Sequence, residues 1–172
     1  MIEHYNVDDE TIADGDIMDI IAPLWYGVNI HGDLQDYEND LNRFTEQQKY
    51  IHAMVWYQAE VDNGGHDQFF FNSTGIVWKN ALDGFLKIGF DAAAEILQEA
   101  AALLGGNPSF DRKERQEQLD SLNDDDRERL GDLDDRFYDI TYDIAGFDNI
   151  ILRFINENKK DFYFDGDIDI GE

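Results

Sequence analysis

The chain has 172 residues, with 39 acidic and 13 basic side chains, a formal net charge of −26 and no cysteine. This length suits one domain with its own core, and an aromatic content of 13% supplies bulk that a disordered acidic segment would lack. The missing cysteines exclude disulfides, thiol nucleophiles and thiolate metal sites, and the charge disfavours binding to nucleic acid or anionic membrane.

Helical periodicity predicts two short amphipathic helices near the start of the chain. The first covers residues 12–25, where isoleucine and leucine recur at helical spacing. We expect Pro23 to end or kink this helix, because proline lacks the amide that the helix requires. The second covers residues 34–44, and Asp33 is placed to cap its first turn.

A longer helix follows, and its two ends carry strong local signals. Thr45 and Gln48 have the spacing of a capping box, in which each side chain bonds the backbone of the other. The pair Gly64-Gly65, preceded by Asn63, predicts the end of that helix. A short apolar helix over residues 66–72 is expected to come directly after the break.

The second half of the chain also shows helical spacing throughout. The predicted helices, each bounded by glycine, proline or a capping residue, cover residues 76–88, 91–104, 111–122, 124–143 and 147–160.

The sequence therefore predicts an all-α protein, a single compact domain over residues 1–172 with about eight or nine short helices. The tail over residues 162–172 alternates apolar and polar residues, which is compatible with a short strand or a frayed end.

Motifs for catalysis or cofactor binding are weak. Gly64-Gly65 lacks the spacing and the lysine of a phosphate-binding loop, so a helix break is the better interpretation. The four histidines show no metal-ligand spacing, and 39 carboxylates do not single out a catalytic pair. Asp165, Asp167 and Asp169 are spaced like calcium ligands, but the rest of a calcium loop is missing. We expect a protein that is not an enzyme, with no catalytic residue, no metal and no cofactor.

The acidic residues are unevenly distributed. Residues 1–42 contain 11 acids and neither lysine nor arginine, and five acids but no base follow Lys160. Like charges on one helix face repel by about 0.2–0.5 kcal/mol per pair, so the pattern favours a surface shaped for a basic partner over simple solvation. The net charge equals that of roughly 44 Å of duplex DNA, at one charge per 1.7 Å.

One stretch carries a resemblance to a known family. The sequence WYQAEVDNGGHDQFFFNSTGIVWKNALDGFLKIG, residues 56–89, resembles the central motif of the small bacterial all-helical family that includes the nineteen-kilodalton DNA mimic protein. The resemblance covers residues 45–105 firmly. It implies an all-α homodimer whose acidic surface binds a helix-turn-helix transcription regulator and keeps it off its operator. The matched motif itself is expected to be scaffold.

The resulting hypothesis is a DNA mimic whose aspartates stand in for phosphates. The partner-binding carboxylates are predicted to form an N-terminal group and a second group on the helix that begins at residue 124. The N-terminal group contains Asp14, Asp16, Asp19, Asp33, Asp36 and Asp40, and the second group contains Asp124, Asp125, Asp126, Asp132, Asp134, Asp135, Asp139 and Asp143.

An alternative function is also open at this stage. The chain could be an acidic immunity-type protein that neutralises a basic toxin or nuclease, and a salt-adapted domain without a specific acidic site is a third interpretation. In each case we expect a cytoplasmic protein that binds no nucleic acid directly and no membrane, since the start is acidic and no apolar run reaches the length of a span.

Overall fold

The computed structural model describes residues 1–142 and 146–171. Within these ranges the chain forms nine α-helices, two 3₁₀ turns and one two-stranded sheet, which confirms the all-α prediction. In chain order the elements are β1 (Ile2–Val7), α1 (Asp9–Asp14), α2 (Ile17–Gly27), α3 (Leu34–Leu41), α4 (Glu46–Phe71), a 3₁₀ turn (Ser73–Val77), α5 (Trp78–Ile88), α6 (Asp91–Leu103), α7 (Arg112–Asp120), α8 (Asp124–Tyr142), α9 (Gly146–Glu157), a 3₁₀ turn (Lys159–Asp161) and β2 (Phe164–Asp169). The single-domain boundary of 1–172 stays a prediction.

The capping signals act as predicted, and the proline does not end its helix. The Thr45 hydroxyl accepts from the Gln48 amide at 3.2 Å, and the Gln48 side chain accepts from the Thr45 amide at 2.9 Å. Asp33 caps α3 through the amide of Asp36. Of the two outcomes expected at Pro23, an end of the helix is excluded, because α2 continues to Gly27 with Pro23 buried. Packing of this apolar helix offsets the free-energy cost of the backbone hydrogen bond that proline cannot donate.

The glycine pair breaks α4 as predicted, and helical structure then resumes. Gly65 has a φ of 73° and a ψ of −176°, a conformation essentially restricted to glycine. Beyond the break, Phe69 and Phe70 are fully buried, while Phe71 is 48% exposed. The break therefore redirects the chain so that two of three consecutive phenylalanines enter the core.

The termini form the small sheet. The tail is a strand, one of the two outcomes expected for it, and it pairs antiparallel with β1, which the sequence does not predict. Pairing runs from Ile2 opposite Asp169 to Val7 opposite Phe164. Only Val7 of β1 is buried, so the sequence of β1 lacks the alternating apolar pattern that would predict a strand. Its stability comes from pairing with a strand more than 150 residues away.

The core is organised around α4, which packs against α2, α5, α7 and α8. The Tyr57 ring is fully buried, and the rings of Phe69, Phe85 and Phe137 contact it edge-on at centroid distances of 5.0–5.5 Å. α8 packs against α4 and α6 through one face, and its opposite face is exposed.

Candidate partner-binding surface

The exposed face of α8 carries a continuous row of carboxylates, which we call the α8 stripe. It contains Asp125, Glu128, Asp132, Asp135 and Asp139, which recur at steps of three and four residues. At about 100° per residue these positions share one side of the helix. All five are exposed. The buried residues Leu130, Leu133, Phe137 and Thr141 lie on the opposite side.

The side chains of the α8 stripe make no ion pair and no hydrogen bond within residues 1–142 and 146–171. The two arginines nearest to the stripe along α8, Arg129 and Arg136, pair with Asp126 and Glu99 instead. Four successive like-charged pairs at three- or four-residue spacing each cost about 0.2–0.5 kcal/mol on a helix. The like-charged pairs of the stripe therefore lower the stability of α8, and the packing of its opposite face offsets this cost.

The neighbouring helix α6 extends the acidic surface. Asp91, Glu95 and Glu99 are exposed at four-residue spacing on a helix that packs beside α8. Arg136 forms a bidentate ion pair with Glu99 at 2.8 and 2.9 Å, and its hydrogen bonds lower the pKa of Glu99. This pair ties α8 to α6.

Sequence reasoning missed Glu128 and the three acids of α6. Their periodic spacing, visible in the sequence, could have revealed them. The predicted set was restricted to aspartate, which excluded the three glutamates although they carry the same charge on a longer stem, and it did not extend to Asp91 of α6.

Asp124 and Asp126 of the predicted second group lie in the first turn of α8 and have a local structural role. Carboxylates there interact favourably with the helix dipole. Asp126 is half-buried, accepts from Asn123 at 2.9 Å and pairs with Arg129 at 3.3 Å, whereas Asp124 is exposed. Asp124 is therefore the more accessible of the two to a partner.

Asp134 points away from the α8 stripe. Its Oδ1 accepts from the backbone amide of His66 at 2.8 Å and also contacts the ring Nδ1 of His66. The His66 ring is fully buried, and its Nε2 lies 2.6 Å from the Tyr57 hydroxyl. Asp134 thus anchors α8 to the break in α4, and the proposed binding surface does not include it.

Asp143, the last predicted member of the second group, lies outside the described residues.

The N-terminal group occupies two separate settings. Asp14, Asp16 and Asp19 are exposed at the junction of α1 and α2, where Asp16 caps α2 by accepting from the amides of Met18 and Asp19. The other three lie on or beside α3.

Of the α3 residues, Asp33 and Asp36 are exposed, and Asp33 borders a groove that also contains Arg112 and Lys113. Asp40 is half-buried and accepts from the Asn29 amide at 2.9 Å. Asp33 and Asp40 therefore have local roles that the α8 stripe lacks, whereas the Asp36 side chain, like the stripe, makes no hydrogen bond or ion pair in the described ranges.

The four histidines are dispersed. His66 is held by Asp134, His31 contacts Ser73 at 2.9 Å, and His4 lies between two carboxylates of β2. His52 is fully buried, and burial lowers its pKa to about 3. Within the described ranges, no three histidine, aspartate or glutamate side chains are arranged to hold a metal ion.

In the part of the chain that the structure describes, no helix combines the length and apolar character needed to cross a bilayer.

Comparison with known proteins identifies the chain's relatives at the level of family. A family model described as DMP19-like protein matches residues 42–158, which include the broken helix α4 and all of α8 and α9. The match confirms the resemblance inferred from the central motif. Comparisons with curated proteins and with solved structures returned no match.

Proposed function

The chain belongs to the DMP19-like protein family, and from that premise we propose that it is a DNA mimic that occupies the DNA-reading face of a helix-turn-helix transcription regulator and so blocks operator binding. The observation that carries the proposal is the α8 stripe, an exposed row of carboxylates that have no ion-pair partner among the described residues.

The stripe matches the charge density of a nucleic-acid strand. From Asp125 to Asp139 the helix rises about 21 Å, at 1.5 Å per residue. One strand of duplex DNA carries roughly six phosphates over that length, at 3.4 Å per phosphate. Five carboxylates on a rigid helix present a similar charge. Because the helix is already ordered, binding does not incur the entropy cost of ordering a flexible segment.

Such a surface selects a basic partner. A regulator that reads DNA presents lysine and arginine positioned for phosphates, and complementary charge steers association. The net charge of −26 repels nucleic acid itself, so direct binding to DNA or RNA is not part of the proposal. The same net charge argues against an anionic membrane as the target.

The remaining parts of the proposal rest on the family. We expect a homodimer, which would double the acidic surface offered to a dimeric regulator. We also expect a bacterial cytoplasmic protein, with no catalytic activity and no cofactor.

The first experiment tests competition for one surface. The immobilised protein is exposed to a bacterial cytoplasmic extract at low salt, washed and eluted with duplex DNA. A helix-turn-helix regulator in the DNA eluate, which the purified protein then displaces from its operator in a gel-shift assay, is the expected result. A toxin or nuclease that stays bound through the DNA elution would replace the proposal with the neutralising function.

A matched pair of variants then tests the site. The stripe variant carries D125N, E128Q, D132N, D135N and D139N, and the control carries E10Q, E38Q, E46Q, D120N and E157Q on other exposed surfaces. Each changes the net charge from −26 to −21. At about 0.5–1 kcal/mol per lost ion pair, the stripe variant should bind the regulator about 100-fold more weakly or worse.

The control variant should retain affinity within about five-fold, since distant exposed charges are screened at physiological salt. Equal weakening of both variants would show that net charge, and not the α8 stripe, determines binding. The stripe variant should be at least as stable as the parent, because it removes like-charge repulsion. A loss of affinity therefore cannot be assigned to unfolding.

A further inference from the structure

A second surface feature lies away from the α8 stripe, in a groove where the α1–α2 turn, α4 and α9 meet. The groove has a volume of about 430 Å³. Its apolar part is formed by Ile17 of α2, Val55 of α4 and Leu152 of α9, each of which is only partly buried. These three side chains come from distant parts of the chain, so the groove is a product of the fold.

The rim of the groove is acidic. Asp14, Asp16 and Asp148 line it, and none of the described residues that line it is a lysine or arginine. Asp14 and Asp148 are exposed and have no ion pair or hydrogen-bond partner in the described ranges. Asp16 uses Oδ1 to cap α2, which leaves its second oxygen for a ligand.

An apolar groove whose acidic rim has no ion pair in the described ranges is complementary to one kind of side chain. Arginine combines an apolar three-carbon stem with a planar cation that has five donors. The stem fits against apolar surface while the guanidinium stays at the rim, beside the carboxylates. A volume of about 430 Å³ suits a side chain and its flanking backbone, and is small for a docked helix.

We propose that this groove binds an arginine side chain presented by a partner protein. It differs from the α8 stripe, which has no apolar component and attracts cations of any shape. The groove would select arginine over lysine by its planar, bidentate geometry. This inference adds a specific contact to the proposed function but does not depend on it, because any protein that presents such an arginine would qualify.

The test uses a small probe, so that it needs no knowledge of the partner. N-acetyl-arginine methylamide is titrated into the ¹⁵N-labelled protein at 150 mM salt, and backbone amide shifts are followed by NMR. N-acetyl-citrulline methylamide, which has nearly the same shape without the charge, and the lysine analogue are the probe controls. The arginine probe should shift amides around Gly15, Val55 and Leu152 in a saturable way, and the controls should shift them little.

Variants locate the binding site. The double variant D14N/D148N should weaken probe binding by roughly three- to ten-fold, as expected for two exposed ion pairs. The matched double variant D36N/D120N removes two exposed carboxylates elsewhere and should leave it unchanged. Asp16 is kept in every variant because removal of this N-cap would destabilise the start of α2.

Three results would overturn the inference. They are equal shifts with citrulline, shifts spread evenly over the α8 stripe, and unchanged affinity in the D14N/D148N variant. Any of these would leave the regulator-binding experiment unaffected, since that experiment depends on the α8 stripe. Conversely, a groove that binds the arginine probe would survive even if no regulator were displaced from its operator.

Discussion

Asp134 and Asp135 are adjacent on α8 and have opposite surroundings. Asp134 turns inward, where it holds the backbone and ring of His66 beside the α4 break. Asp135 turns outward into the α8 stripe, without a partner in the part of the chain that the structure describes. One helix thus uses the same type of side chain for two tasks, anchoring on its inner side and charge display on its outer side.

The inner side depends on the unusual backbone of the glycine pair. A Cβ on Gly65 would collide with the carboxylate of Asp134, so the bare glycine lets the two chains approach closely. The result is a chain of contacts from α8 through His66 to Tyr57 in the core. The orientation of the α8 stripe is therefore set by the central motif, which explains how a scaffold motif can serve a distant surface.

The largest expected effect comes from Gly65→Ala. The substitution combines backbone strain of about 1–3 kcal/mol with loss of the Asp134 contact, so we expect destabilisation of about 3–4 kcal/mol, within the upper range for single substitutions. Urea denaturation measures the change, and a lower midpoint with an unchanged m-value would report a loss of stability.

Gly131→Ala is the matched control for that substitution. Gly131 lies on exposed α8, and an added Cβ would meet no atom within 4 Å. Alanine there should stabilise the helix by about 0.5–1 kcal/mol. Similar stability changes at the two glycines would mean that the close approach to Asp134 has no energetic weight.

A smaller effect should separate the two aspartates directly. Asp134→Ala leaves the buried His66 amide and ring without their acceptor, and it should lower the free energy of unfolding by about 2–3 kcal/mol. Asp135→Ala should change it by less than about 0.5 kcal/mol, in either direction. Regulator binding should show the reverse sensitivity in the folded protein, with Asp135→Ala the variant that weakens it by direct loss of charge. Equal stability of the two variants would contradict the assignment of an anchoring role to Asp134 and a surface role to Asp135.

The smallest effect concerns carboxylates that do have a cationic partner. His4 Nδ1 lies 2.8 Å from Asp167 and Nε2 lies 3.1 Å from Asp165, and the hydrogen bond to Asp167 is the main cause that raises the pKa of His4 above 6.5. Since the folded-state pKa is the higher one, this contribution to stability is complete below pH 6.5 and is lost as pH rises through the folded-state pKa. The histidine ring protons should titrate by NMR with a midpoint above 6.5.

His4→Gln supplies the comparison for the pH effect. The variant should lose the small extra stability that the parent shows at pH 6 relative to pH 8. A His4 midpoint at or below 6.5 would contradict the prediction. In that case the carboxylates beside His4 would gain no more from a cationic partner than the unpaired carboxylates of α8 do.

The acidic groups show how far sequence reasoning reaches. The α8 helix, its aspartates and their exposure were predictable from periodicity, because a helix places residues three and four apart on one side. The inward position of Asp134 also had a signal, since it lies between the apolar positions Leu130, Leu133 and Phe137. No signal in the sequence indicated the partner of Asp134, because His66 is 68 residues away and no spacing rule connects the two residues.

The same distinction applies to the rest of the molecule. The sequence alone determined the helical class, the capping box at Thr45 and the break at Gly64-Gly65, because each depends on interactions within about one helical turn. It also determined the net charge and the family, which the central motif reveals. Only the tertiary structure decided that β1 pairs with the tail, that Arg136 ties α8 to α6, and that Asp14 and Asp148 share a groove. These contacts join residues far apart in the chain, and they exist because packing of the core brings the supporting elements together.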